Sequence, residues 1–236
     1  RKNPSYGYVK GFDRSIYKHH MGSREVVSHA IQHLETFKER DNYMWLSFFD
    51  LHHFLNFIPS ILSQKNNKLG DHTYKTSTLK SVFLAREEKL INWYKNELIQ
   101  LDLFLGTFFS YLEKEYTSSE ALISIVSDHG QSYLGNQREL LSEQKLLTAM
   151  MFSNSNPLNL TQGFDEIIET VDYLPALLYL TGIKEPTNID GRLPEALGGK
   201  EKREFSFSES FFPKRKYEAA IYDKNHRFHV SSKQEI

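Results

Sequence analysis

Residues 121–130 read ALISIVSDHG, from Ala121 to Gly130, and the rest of the chain is organised around them. The first seven residues form a short apolar run rich in β-branched side chains. That pattern predicts a strand buried on both faces of a sheet. Asp128, His129 and Gly130 follow at its carboxyl end, which in open α/β sheets borders the crevice where ligands bind. An acid and an imidazole are therefore expected where chemistry would occur, although the same dipeptide can also open an ordinary turn.

Working outward, a second stretch repeats the arrangement. YMWLSFF (43–49) is short, aromatic and apolar, and predicts another buried strand. It also ends in acid and imidazole, Asp50-Leu51-His52-His53. Before it, Val26, Val27, Ala30, Ile31, Leu34 and Phe37 fall at helical spacing between Gly22 and Glu39, with Ser23 as the expected N-cap. After it, the Lys- and Asn-rich segment 63–78 has no periodicity and reads as an exposed loop or lid. A long helix is expected over about 80–116, its stripe formed by Leu90, Tyr94, Leu98, Leu101, Leu105, Phe108 and Leu112. Asp102 lies beside that stripe as a flank residue.

Beyond Gly130, a loop with Gly135, Arg138 and Lys145 leads to a third predicted strand, LLTAMMF (146–152). Asp172 is positioned to cap a helix with Pro175 in its first turn and Gly182 at its end, Leu174, Leu177, Leu178 and Leu180 facing a core. Then come a turn at Asp190-Gly191, a short helical piece at Leu193–Leu197, and strands EAAIY and HRFHV around the turn at Asp223–Asn225. This order predicts an α/β protein, an α/β/α sandwich with a small C-terminal antiparallel appendage. The expected division is residues 1–185 and residues 186–236.

Composition narrows the function classes. The chain has 236 residues and a net charge of -1, which gives no bulk electrostatic reason to bind nucleic acid. Its longest apolar runs fall well short of the ~20 residues of a membrane span, and its start does not resemble a signal peptide. With no cysteine, disulfides, thiolate metal sites and a cysteine nucleophile are excluded within these residues. If the two strand ends lie together, Asp50, His52, Asp128 and His129 converge on one rim. Carboxylate oxygen favours Ca²⁺ or Mg²⁺, while imidazole draws the choice toward Zn²⁺ or Mn²⁺. His19, His20, His72, His226 and His229 stand in polar surroundings and read as surface residues.

These stretches together resemble the sulfatases of the alkaline phosphatase superfamily. GFD (11–13) comes first, and WLSFFDLHH resembles the family's strand followed by Asp-Pro-His. The helix with Leu101-Asp102 and Gly106 follows, and SIVSDHG resembles the Ser-Asp-His/Asn-Gly metal motif. VDYLPALLYLTGI and NIDGRLPEALGG resemble the closing helix and the Asp-Gly-x-x-Leu stretch.

The resemblance implies a metal-dependent sulfuric ester hydrolase acting on a sulfated carbohydrate or aryl sulfate. Asp128 and His129 would be metal ligands, with Ca²⁺ foremost and Mg²⁺, Mn²⁺ or Zn²⁺ as alternatives. His52 would contact the sulfate or the leaving-group oxygen, and His53 is a weaker candidate. Arg138 lies where the family commonly has a sulfate-reaching Lys, at a shorter spacing, and Lys145 is the fallback; either could instead be a solvated surface charge. Leu51 replaces the family's usual proline, which bears on the loop's shape. The family's nucleophile segment, Cys/Ser-x-Pro-x-Arg, and its first metal-binding aspartates are expected upstream of GFD. Lys2-Asn3-Pro4-Ser5-Tyr6 echoes that motif only by coincidence. Neighbouring chemistries on this scaffold are phosphonate or phosphate monoester hydrolysis and phosphoethanolamine or phosphoglycerol transfer. A non-catalytic binding module is the other class. The resemblance favours an extracytoplasmic location, where Asn159-Leu160-Thr161 would be a glycosylation sequon.

Overall fold

The structure, a computed structural model, describes residues 9–18, 21–53, 87–117, 120–131, 141–153, 165–211 and 217–232. In chain order the elements are α1 (Ser23–Thr36), α2 (Asp50–His53), α3 (Glu87–Glu115), β1 (Ile123–Val126), α4 (Glu143–Leu146) and β2 (Met150–Ser153). They continue with a 3-10 turn (Thr170–Asp172), α5 (Tyr173–Leu180), a second 3-10 turn (Glu195–Leu197), β3 (Ser206–Ser210), β4 (Tyr217–Tyr222) and β5 (Arg227–Ser232). The chain is mixed α/β, and it divides into two compact units, Arg1–Glu115 and Tyr116–Ile236.

In the first unit the helical spacing of Val26, Val27, Ala30 and Leu34 gives α1 a buried stripe that packs against α3, where Leu101 and Phe108 are buried. Polar contacts set the direction. Tyr111 Oη donates to Glu35 Oε1 at 2.6 Å and Lys38 Nζ to Glu115 Oε2 at 2.6 Å, so both carboxyl ends lie together. At the other end of α1, the Ser23 amide donates to Asp50 Oδ1 at 3.1 Å, and α2 rests on α3. The two helices therefore run parallel.

The described part of their connection returns along α1. Asn42 Nδ2 donates to the Phe37 and Arg40 carbonyls at 3.1 and 2.7 Å, near the end of α1, whereas Asp50 stands at its start. At about 3.3 Å per extended residue, 42–50 is long enough to retrace a 14-residue helix rising about 1.5 Å per residue. A helix, an extended return and a parallel helix form part of an α/β repeat.

The expected strand at 43–49 needs correction. It is extended, with Met44, Leu46 and Phe48 half-buried and Tyr43, Trp45 and Phe49 exposed, but it has no ladder partner among the described residues. Tyr43 at 60% and Trp45 at 51% exposure rule out burial on both faces. Aromatic content marked an extended segment, but a ladder also needs a neighbour to pair with. Leu98, expected on the α3 stripe, is exposed. Residues 80–86 and the loop 63–78 lie outside the described residues.

In the second unit β1 pairs with β2 in antiparallel register, Ile123 opposite Ser153 and Val126 opposite Met150. Both strands are shorter than expected, and β1 is half-buried throughout rather than enclosed. Leu146, expected within the strand, instead ends α4. A short apolar run does not by itself reveal its burial or its partner's direction. α5 covers this pair: Tyr173 stacks on Phe152 at 5.6 Å between centroids, and its hydroxyl lies 2.7 Å from Ser124 Oγ. Gly182 ends α5 with φ +69°, and the Ile183 amide caps the Leu178 carbonyl. Pro175 and Ala176 are the residues of α5 that are buried, whereas Leu174 is exposed, contrary to expectation.

Asp172 makes no side-chain cap to α5. Instead its buried carboxylate accepts from the Glu169 amide at 2.9 Å, the Arg192 amide at 3.0 Å and Arg203 Nη2 at 2.6 Å. Glu169 pairs with the same guanidinium and accepts from the Phe207 amide at 2.6 Å. A side chain at Gly191 would meet the Val171 carbonyl oxygen at 2.0 Å, which accounts for the glycine of the Asp190-Gly191 turn. The C-terminal part is a three-stranded antiparallel sheet in the order β3-β4-β5. β4 and β5 match the expected hairpin. The expectation omitted β3, whose SFSES sequence is polar at every position except Phe207.

Candidate metal and ester site

Beyond the β1–β2 ladder, Ser127 prolongs the pairing by one residue. Its amide donates to the Ala149 carbonyl at 3.0 Å and its hydroxyl accepts from the Ala149 amide at 2.8 Å. Asp128 and His129 are thus carried out of the sheet at a fixed point, with side chains 91% and 54% exposed. Gly130 then turns back against α4, its amide donating to the Lys145 carbonyl at 2.8 Å. A Cβ at this position would lie 2.1 Å from the Gln144 carbonyl oxygen and 2.4 Å from that of Leu147, so only glycine fits.

The local bonds orient both acid and imidazole. Asp128 Oδ1 accepts the His129 amide at 2.9 Å, which leaves Oδ2 as the oxygen on the side of the His129 ring. His129 Nδ1 lies 2.7 Å from the Gly130 carbonyl, which can only accept, so Nδ1 carries the proton and Nε2 keeps its lone pair. Nε2 and Asp128 Oδ2 are 3.9 Å apart. A divalent cation with ligand bonds of about 2.0–2.6 Å can bridge such a gap. This donor pair fits a metal, though only in part: among the described residues no group of three or more His, Asp or Glu side chains could hold an ion.

His52 lies in the first unit. α2 is a single turn whose His52 amide donates to the Phe49 carbonyl at 3.0 Å, and the His52 side chain is exposed. Asp50, the acid of this stretch, caps the positive end of α1 through the Ser23 amide. Beside it Glu97 has a raised pKa, first because burial disfavours its charge and then because of the Asp50 carboxylate. Of the residues picked out by sequence, the second unit brings Asp128, His129 and the Lys145 backbone together. Arg138 lies outside the described residues, as does Asn159. Sequence reasoning missed the role of Ser127 and the buried Glu218, whose position in EAAIY carries no signal apart from a charged residue in an apolar strand.

The chain matches the sulfatase family over residues 3–183, and it belongs to that family. The family has an alkaline phosphatase-like fold, its members are typically hydrolases, and they typically depend on a metal. No curated protein matches the chain. No helix among the described residues is long and apolar enough to cross a membrane.

Proposed function

We propose that this chain forms the middle and C-terminal part of a divalent-cation-dependent sulfuric ester hydrolase acting on a sulfated carbohydrate or aryl sulfate. The observation that carries this reading is the Asp128–His129 pair. Its Oδ2 and Nε2 face each other across 3.9 Å at a strand end, with the histidine's other nitrogen bound to a backbone carbonyl. We take residues 1–185 as a partial domain of α/β/α type and residues 186–236 as a smaller appendage, a division supported by the family match ending at residue 183.

In this reading Asp128 and His129 hold the cation, calcium foremost, with magnesium, manganese and zinc as alternatives. The bound cation offsets charge on the ester oxygens. Arg138, or Lys145 as the fallback, reaches the sulfate charge, and His52 contacts the sulfate or the leaving-group oxygen. The nucleophile would be supplied from outside these 236 residues, which hold neither a cysteine nor a Ser-x-Pro-x-Arg motif. An extracytoplasmic location goes with this reading.

An imidazole at the ligand position also suits zinc or manganese. This favours a second reading on the same scaffold, phosphate or phosphonate monoester hydrolysis or phosphoethanolamine or phosphoglycerol transfer. Assaying the intact protein on 4-nitrophenyl sulfate and 4-nitrophenyl phosphate, with and without a chelator, tests both. Chelator-sensitive release from the sulfate supports the first reading, release from the phosphate alone supports the second, and release from neither overturns both.

A further inference from the structure

Glu218, the second residue of β4, has no exposed surface and is followed by the buried Ala219 and Ala220. Burying a carboxylate is costly unless it is paired and hydrogen-bonded. Here its Oε2 lies 3.4 Å from the Leu141 amide and 3.4 Å from His229 Nε2. The Leu141 carbonyl is held in turn, accepting from Tyr222 Oη at 3.2 Å and Arg227 Nη2 at 2.9 Å. Arg227 also lies over the Tyr222 ring, 5.5 Å from its centroid. The polar side of the C-terminal sheet thus grips both backbone groups of Leu141, in the segment that enters α4.

That grip reaches the metal motif through short, contiguous bonds. Leu141 and Ser142 are buried. The Ser142 carbonyl accepts from the amides of Lys145 and Leu146 at 3.0 and 3.1 Å, forming the α4 turn. The Lys145 carbonyl accepts from the Gly130 amide, and the Gly130 carbonyl holds His129 Nδ1. We propose that Glu218 is a positioning residue for the ester site: by fixing Leu141 it sets α4, and through α4 it aligns Lys145 and the Asp128–Gly130 loop. This role rests on the hydrolase reading above.

The test uses the intact protein with the variants Glu218→Gln, Glu218→Ala and Tyr222→Phe. Chelator-sensitive turnover of 4-nitrophenyl sulfate or phosphate is measured alongside Mn²⁺ affinity and hydrogen exchange at the Gly130 amide. Glu218→Ala should lower kcat about 10–100-fold, as loss of a supporting hydrogen bond around a metal site does, with KM nearly unchanged and faster exchange at Gly130. Glu218→Gln keeps an acceptor for the Leu141 amide and should recover most of that loss. Tyr222→Phe should give a smaller loss in the same direction, and it carries the test if Glu218→Ala does not fold. Wild-type kcat and exchange in a folded Glu218→Ala or in Tyr222→Phe would overturn the role, as would a Gln variant no better than Ala. If the wild-type protein itself hydrolyses neither ester, the hydrolase reading falls, and the positioning role falls with it. A hydrolysing wild type with unaffected variants removes the positioning role alone.

Discussion

The amide of Gly130 donates to the carbonyl oxygen of Lys145 at 2.8 Å, joining the end of the Asp-His-Gly motif to the short helix α4. Because the backbones approach so closely, a single methyl group at Gly130 has no room. Gly130→Ala should therefore destabilise the protein by about 1–3 kcal/mol, the usual range for overpacking. It should also weaken Mn²⁺ binding, because the Gly130 carbonyl holds the His129 ring. Thermal unfolding and isothermal titration measure the two effects. An alanine variant with wild-type stability would mean that the loop does not sit against α4.

Asp128 and His52 should separate ligand from substrate contact. Asp128→Ala removes a charged oxygen from the cation and should lower metal content and turnover together. His52→Ala, whose side chain belongs to a different unit and is read as touching the ester, should lower turnover while metal content stays near wild type. Elemental analysis of the two purified variants decides the matter. Equal metal loss in both would make His52 a ligand.

Much of this was legible in the sequence because it rests on local periodicity or on local chemistry. Val26, Val27, Ala30 and Leu34 declared the buried face of α1, and the Tyr217–Ser232 hairpin showed as two short strand-like runs around the turn at Asp223. Gly130 was legible as part of a motif, although not the carbonyl oxygens that require it. What stayed hidden depends on partners distant in sequence. Nothing around 43–49 says whether that extended segment has a neighbouring strand, and nothing near 123–126 says that its partner runs antiparallel. Asp50 and Asp172 illustrate the same limit. Asp50 was expected on a rim shared with Asp128 and Asp172 as a helix cap, yet Asp50 binds Ser23, and Asp172 binds Arg192 and Arg203.

Arg203 pairs with the carboxylates of both Asp172 and Glu169, all three side chains being largely buried. Removing the cation while leaving the acids exposes the cost of burying unpaired charge. Arg203→Met should cost about 3–5 kcal/mol, as breaking a buried ion pair does. Asp172→Asn should cost less, since an amide oxygen can still accept from the Arg192 amide. Urea denaturation gives both values. A loss below about 1 kcal/mol for Arg203→Met would match a solvent-exposed pair and contradict the burial.

Glu97 gives the protein a pH signature opposite in sign to that of its other shifted carboxylates. Burial and the neighbouring Asp50 raise its pKa in the folded state above the ordinary value of 4.5. Between that value and the raised one, the folded chain binds more protons than the unfolded chain, so this group's contribution to stability falls as pH rises. Below the window Glu97 is neutral in both states and carries no penalty. Above it the penalty is complete and constant. Glu115 and Asp223 act the other way. Lys38 and Lys114 lower the first, and the amides of Asn225 and His226 lower the second, so their contributions are present above the ordinary pKa and are lost as pH falls through the lowered values. A difference measurement isolates Glu97. Glu97→Gln should be more stable than wild type at pH 7, and the gap should close as pH falls toward 4. Unfolding free energies across that range test it. A gap that is absent at pH 7, or that widens on acidification, would mean that Glu97 is stabilised in its charged form and that its carboxylate is not held against that of Asp50.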